Sequence, residues 1–356
     1  MRSSVAGLIY STPSHHYDHI ASLCVFLEVP LIVTEEHVQE SLQKIYPTLV
    51  ILCFDYLSLG NEVVSRFSVI LSCHPRPHLE RILSFSEDLL QKKCTTIFIP
   101  HGNSDKGHLS GLMEGFAYEK LVGVYGKKML DFFSEKKVSD HLFGTIHLGN
   151  YREQVYTKLK PHFHNLLKEQ AVITKTKQTI FFAPTWDDDE HSCSLFSVID
   201  SLLAQKPDDV TLIVKPHPNT FQTDLPRLEQ LQGKIDAIEN VFLIRDFPPI
   251  YALLDLSDVY LGDMSSIGYD FLTYNRPMFF LNPNKRDPKT DRGLQLLRCG
   301  EVIYPENFDA LYEVMEHPQT ELKKPRHDMY HYTFGEPVSS QKMKKQLLDL
   351  VSAFTQ

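Results

Sequence analysis

Four short segments of the 356-residue chain carry the residue types that chemistry needs. The first, Pro100-His101-Gly102-Asn103-Ser104-Asp105-Lys106-Gly107, sets an imidazole and an ammonium five positions apart around a glycine, a pairing that suits a single anion. Residue type alone also allows a polar loop with Gly102 serving a turn. The second, Lys215-Pro216-His217-Pro218, holds His217 between two prolines. That rigidity suits an imidazole that meets a phosphate or moves a proton, and an ordinary strand exit is the plain alternative. The third, Gly262-Asp263-Met264-Ser265-Ser266-Ile267-Gly268-Tyr269-Asp270, leads through two hydroxyls into a helix. It is expected to cap free backbone N–H groups and so to form an anion site. The fourth, Thr185-Trp186-Asp187-Asp188-Asp189-Glu190, pairs the sole tryptophan with an acidic run. The run reads as a solvated loop before it reads as a cation site, and Trp186 reads as a stacking surface or a hinge.

The elements that position these segments follow from hydrophobic patterning. Short β-branched runs alternate with helix-length amphipathic stretches: Val5–Tyr10, Leu31–Thr34, Thr48–Cys53, Ser68–Cys73, Thr95–Pro100 and Lys120–Tyr125, with helices between them. The rhythm breaks over Leu166–Lys177, which reads as a linker, and restarts at Thr179–Ala183, Val210–Val214, Val241–Ile244, Val259–Gly262 and Met278–Leu281. Gln341–Phe354 predicts a last amphipathic helix. Strands without polar alternation, separated by helices, predict parallel sheets covered on both faces. The expected organisation is two Rossmann-like doubly wound α/β domains, residues 1–165 and 178–356, facing a central cleft. All four segments follow a predicted strand, at the carboxyl edge where such sheets bind ligands.

Composition narrows the function. The net charge of −9 gives no general basic field for nucleic acid, so phosphates must be held by local charges and backbone amides. Neither half carries G-x-G-x-x-G after its first strand, and no P-loop motif occurs, which argues against nicotinamide, flavin or P-loop nucleotide binding. The six cysteines are scattered without a C-x-x-C pair, so neither a disulfide framework nor a metal site is expected; no bound cofactor is expected either. His15, His16, Asp18 and His19 in the first connection are likewise not expected to bind metal, for want of a Cys or a carboxylate at the right spacing. Lys285, Arg286, Lys289 and Arg292 read as a solvated face, with contact to a phosphorylated acceptor as the alternative. No apolar stretch approaches the roughly 20 residues of a spanning helix. The expected location is the cytoplasm, and peripheral contact with the inner face of the membrane is compatible with it.

Together these motifs resemble the CDP-glycerol:poly(glycerophosphate) glycerophosphotransferases of teichoic-acid synthesis. The resemblance rests on His101-Gly102 with Lys106, Pro184-Thr185-Trp186 before acidic residues, Lys215 to Pro218, Asp263 to Ser266, Tyr269-Asp270-Phe271, Arg276-Pro277 and the Phe334-Gly335 tail. It runs from about residue 95 to the C-terminus, with Met264 where the family has Tyr and Arg276 where it has Lys. It implies a GT-B-like fold, a first domain facing the acceptor and a second binding the nucleotide donor. It also implies transfer of glycerol phosphate, or a related alditol or sugar phosphate, from a CDP-linked donor, with release of CMP and no required metal. His101 is then the expected base and His217 its partner on the phosphate side. Gly102, Lys106, Lys215, Ser265, Ser266 and Asp270 are expected at the donor and its phosphates, with Thr185, Trp186 and Asp263 lining the cleft. The acceptor is a glycan, a polyol phosphate or a lipid-linked glycan. The competing readings are a UDP-sugar transferase or 2-epimerase of the same fold, and a non-catalytic nucleotide-binding relative.

Overall fold

Runs such as Val210–Val214 and Met278–Leu281 bury every residue, and only a sheet covered on both faces accommodates that. The computed structural model describes residues 4–11, 14–106, 113–170, 173–187, 190–247 and 249–356, and it contains two such sheets. The first is built from β1 (Val5–Leu8), α1 (Tyr17–Leu27), β2 (Leu31–Val33), α2 (Glu36–Ile45), β3 (Ile51–Cys53), α3 (Leu59–Arg66), β4 (Val69–Ser72), α4 (Arg76–Leu90), β5 (Thr95–Phe98), β6 (Leu121–Val124), α5 (Lys127–Glu135) and β7 (Gly144–His147), followed by α6 (Tyr151–Gln170). Its strands lie in the order β3-β2-β1-β4-β5-β6-β7, all parallel. The second comprises β8 (Gln178–Ala183), α7 (Leu195–Ala204), β9 (Val210–Val214), α8 (Thr220–Thr223), α9 (Leu225–Ile235), β10 (Val241–Leu243), α10 (Ile250–Leu256), β11 (Val259–Gly262), α11 (Ile267–Phe271), β12 (Met278–Leu281), β13 (Glu301–Ile303) and α12 (Leu311–Met315). Its order is β10-β9-β8-β11-β12-β13, again parallel. Two further helices, α13 (Lys323–Phe334) and α14 (Ser340–Thr355), end the chain.

The chain forms two compact units. One gathers the described residues of Met1–Asn103 with 113–159 and Tyr332–Gln356; the other gathers the described residues of 104–112 with Lys160–His331. The last helix, expected with the second domain, therefore belongs with the first: Leu350 lies against Gly144, and Lys344 pairs with Glu28 at 3.3 Å. The expected linker also begins inside a helix, because α6 reaches Gln170. Tyr151, Val155, Phe163 and Leu167 bury one stripe of α6, but Pro161 and interspersed Lys and His obscure the period. α13 escaped the periodicity for a similar reason. Its anchor is not apolar but Arg326, which is buried and donates to Asn275 Oδ1 at 3.0 Å and Gln319 Oε1 at 3.0 Å.

Glycine is required where helices touch. A Cβ on Gly60 would lie 2.3 Å from the Ile82 carbonyl oxygen, so α3 and α4 approach backbone to backbone. Polar burial fixes the first unit as firmly. Asp18 on α1 accepts from Arg152 Nε at 2.8 Å and Nη2 at 2.5 Å, and from the Tyr46 hydroxyl at 2.5 Å, with Asp18 and Arg152 both buried. Removing one partner of a buried pair leaves an uncompensated charge, which costs about 3–5 kcal/mol. Arg152→Leu should lose stability of that order in urea unfolding, and a change below about 1 kcal/mol would show that the pair does not hold α1 to α6.

Candidate functional site

In the second sheet the strand order reverses between β8 and β11, the switch point at which open α/β sheets take ligands. Three of the four sequence segments leave β8, β9 and β11 there. Asp263, at the end of β11, is buried and accepts from Thr185 N–H at 2.8 Å, Ser194 N–H at 3.0 Å and the Ser194 hydroxyl at 2.8 Å. Burial pushes its carboxyl up to about 6, against the opposing pull of those donors. Asp263 thus ties the loop after β8 to the start of α7. Thr185 and Asp263, expected to line a cleft, instead face inward and satisfy each other, because a carboxylate at this depth needs every donor available.

That tie presents Trp186, which is half-buried. Lys106 Nζ stands 5.4 Å from the Trp186 ring centroid, and the His217 ring lies 6.2 Å away at 34°. His217 Nδ1 accepts from Asn219 N–H at 3.1 Å, so the neutral ring carries its proton on Nε2. Lys215 beside it is buried, its N–H donating to the Phe182 carbonyl at 2.8 Å. Lys106 reaches this group because the Ser104–Lys106 stretch belongs to the second unit. The Tyr269 hydroxyl donates to the buried Asp105 carboxylate and holds the stretch in place. Burial and the Asp105 charge push the Tyr269 phenol well above its usual range, so it remains a donor. No residue pattern in the sequence announces this bond, which joins positions 164 residues apart.

The serines depart from expectation. Ser265 is buried, and Ser266 sits before the five-residue α11 with helical φ −61° and ψ −23° and no capping bond from its side chain. An N-cap needs extended backbone to aim its oxygen at the first N–H groups, and Ser266 lacks it. Asp270 is buried and accepts from the Tyr251 hydroxyl at 3.1 Å. Arg286, expected to be solvated, is partly buried between Glu190 at 2.9 Å and Asp291 at 2.7 Å. Lys285 remains exposed beside Glu306. In the acidic run Asp187 is exposed and meets His191 at 3.2 Å, whereas Asp188 and Asp189 lie outside the described residues, as does Gly107.

In the first unit the order reverses between β1 and β4, next to β5. His101 follows β5, and Gly102 behind it has φ 137°, a region that favours glycine. The Tyr125 hydroxyl donates to the Pro100 carbonyl at 2.8 Å, and Lys128 Nζ donates to the Asn103 carbonyl at 2.9 Å, pinning both ends of the turn. The His101 ring lies 4.1 Å from that of His16. His101 keeps an exposed surface, yet protein crowds the ring on its other sides, and this desolvation lowers its imidazole to about 4. The ring is therefore neutral at neutral pH and able to accept a proton.

The family model described as CDP-Glycerol:Poly(glycerophosphate) glycerophosphotransferase matches residues 145–330, just over half of the chain. The match includes Trp186, Lys215–Pro218 and Asp263–Asp270, while His101 and Lys106 precede it. Two curated relatives from Staphylococcus aureus (strain NCTC 8325 / PS 47) are similar. Teichoic acid ribitol-phosphate polymerase TarK is 24% identical over 192 residues, 51% of this chain and 36% of that protein. Teichoic acid ribitol-phosphate polymerase TarL is 23% identical over 193 residues, 51% of this chain and 32% of that protein. The aligned part therefore spans about a third of the length of these relatives. Among solved structures, a variant of the wall teichoic acid polymerase TagF soaked with CDPG shares the fold at a TM-score of 0.63 and 14% identity, over 99% of this chain and 90% of that one. The S. aureus MnaA–UDP structure does so at 0.63 and 12%, over 99% and 98%. These likenesses place the chain in the GT-B-like fold class.

Asp263→Ala orphans three buried donors. It should cost about 3–5 kcal/mol, given about 1–3 kcal/mol per unsatisfied group and partial relaxation. Because Trp186 is the sole tryptophan, its emission should shift to the red in the same variant. Unchanged unfolding and emission would show that Asp263 does not hold this loop.

Proposed function

The chain belongs to the CDP-glycerol:poly(glycerophosphate) glycerophosphotransferase family, and from that premise we propose that it transfers glycerol phosphate, or a related alditol or sugar phosphate, from a CDP-linked donor to an acceptor hydroxyl. The acceptor oxygen forms a bond to the donor's β-phosphorus, the bond from that phosphorus to the CMP oxygen breaks, and CMP leaves with the electron pair. The hydroxyl proton passes to an imidazole. Such transfers ask little covalent work of a protein, so positioning and charge stabilisation dominate.

The observation that carries this reading is the grouping of Lys106, Trp186 and His217 at the switch point of the second sheet. It supports donor binding by the second unit: a flat aromatic face for the nucleoside and a cation for the diphosphate. His217, proton on Nε2, serves as donor to a phosphate oxygen. Lys215, Ser265, Ser266 and Asp270 belong to the same edge, with Ser266 the more open of the two serines. His101, neutral and flanked by the pliant Gly102, is the base for the acceptor in the first unit. The acceptor is a glycan, a polyol phosphate or a lipid-linked glycan. We place the reaction in the cytoplasm, at the inner membrane face where the acceptor is lipid-linked. Among the described residues no helix is long and apolar enough to cross a membrane.

The test is CMP release from CDP-glycerol and CDP-ribitol, with UDP-glucose as the competing donor. His101→Ala and His217→Ala should each lower kcat by about 10²–10⁴-fold while melting like the wild type. Turnover of UDP-glucose without any response to a cytidine donor would overturn the reading, and an unimpaired His101→Ala would remove its base. The pH profile offers a second check. Desolvation lowers the His101 pKa, so its basic form persists below pH 6.5, and the acid limb of kcat/KM should fall between about 4 and 6.5. A limb at or above 6.5 would assign the base elsewhere.

A further inference from the structure

The carboxyl ends of β1, β4 and β5 are neighbours in the first sheet, and each delivers one soft donor to the same place. His16 ends the 3₁₀ turn Ser14–His16 after β1, Cys73 directly follows β4, and His101 follows β5. A ring nitrogen of each histidine and the Cys73 sulfur all lie within 4.8 Å of one another. Cys73 is a free, buried thiol, His16 is half-buried and His101 is exposed, so the group is open on one side. Its neighbour His74 is engaged elsewhere, stacked on Tyr10 with ring centroids 3.8 Å apart.

The chemistry of this donor set is selective. Two imidazoles and a thiolate suit Zn²⁺ and its relatives, whereas Mg²⁺ and Ca²⁺ take oxygen ligands. Ligand atoms at about 2.0–2.3 Å from a tetrahedral ion stand about 3.3–3.8 Å apart. The three groups need to close by at most about 1.5 Å, within the side-chain rotation of two imidazoles at the ends of turns. Three protein ligands leave the fourth position open to water or an incoming group. No C-x-x-C pair occurs, and the H-x₃-H spacings of the chain (His15 with His19, His74 with His78, His327 with His331) contain none of these three ligands, which come from three separate strand ends.

We propose that His16, Cys73 and His101 form a binding site for one soft divalent cation of the Zn²⁺ class, which silences this edge by turning the His101 imidazole from a proton acceptor into a metal ligand. On binding, the Cys73 S–H bond breaks and an S–metal bond forms. The proton leaves to solvent, the two neutral rings donate their lone pairs, and no atom is oxidised or reduced. The binding stands independently of the transferase reading, and only the silencing rests on it.

The experiment is titration of the full chain with Co²⁺, read by the thiolate-to-cobalt charge-transfer band. One equivalent should produce the band, and Zn²⁺ should bleach it. Cys73→Ser should abolish it, while Cys53→Ser retains it. His16→Ala should weaken Co²⁺ binding by about tenfold or more, with every variant melting like the wild type. No band, or a band that survives Cys73→Ser, would overturn the site. Zn²⁺ should then inhibit CMP release by the wild type and leave Cys73→Ser at its own metal-free rate. Inhibition absent from a protein that shows the band would overturn the silencing. A protein that shows the band but releases no CMP from any cytidine donor would instead overturn the transferase reading and leave the site standing.

Discussion

Every strand pairing in both sheets is parallel, with the interior strands buried on both faces. Parallel strands cannot be joined by tight hairpins, so each connection crosses over through a helix or loop, and the exits of all strands in a sheet share one edge. Function must then sit in those exits, because the strands are committed to the core and the helices to covering it. The candidate side chains of each unit, from His16 and His101 in the first to Trp186 and His217 in the second, stand where that constraint puts them. Within an edge, the reversal of strand order opens the space between neighbouring connections: His16 and Trp186 follow a strand that borders it, and His101 and His217 follow the next strand along.

An edge made of loops has to be stiffened, and buried carboxylates do this. Asp263 holds Thr185 and Ser194, Asp105 receives Tyr269, and Asp18 receives Arg152 and Tyr46. Each bond joins segments far apart in the chain, and each carboxylate is tolerated at depth only because donors surround it. The residues left to act are those next to the ties. Trp186 follows Thr185, Lys106 follows Asp105, and His16 lies just before Asp18. Asp263, Asp105 and Asp18 are consumed by these ties, which fix the chain beside Trp186, Lys106 and His16.

The same division appears in the ionisable groups. Burial raises the Asp263 carboxyl and the Tyr269 phenol, and both are consumed by internal hydrogen bonds. Burial lowers the His101 imidazole, but its open face leaves the neutral ring accessible. An accessible neutral imidazole can meet a proton or a metal ion, and the nearness of His16 and Cys73 makes both outcomes available to one residue.

The sequence by itself determined the class of fold and the strand-end edges that carry its candidate residues. Apolar runs of strand length, spaced by helices, admit little besides covered parallel sheets, and His101, Trp186, His217 and Asp263 were legible as strand-end residues for that reason. Elements without an apolar stripe were not legible, as with α13, anchored by a buried arginine, and α6, whose stripe is interrupted by Pro161. Nor was the roll of Asp263 as a tie, the capture of Lys106 by the second unit, or the convergence of His16, Cys73 and His101. Periodicity reports which face of an element is buried, but not which strand will lie beside which. Only the tertiary strand order brought β1, β4 and β5 together, and with them three donors that lie 57 and 28 residues apart in the chain.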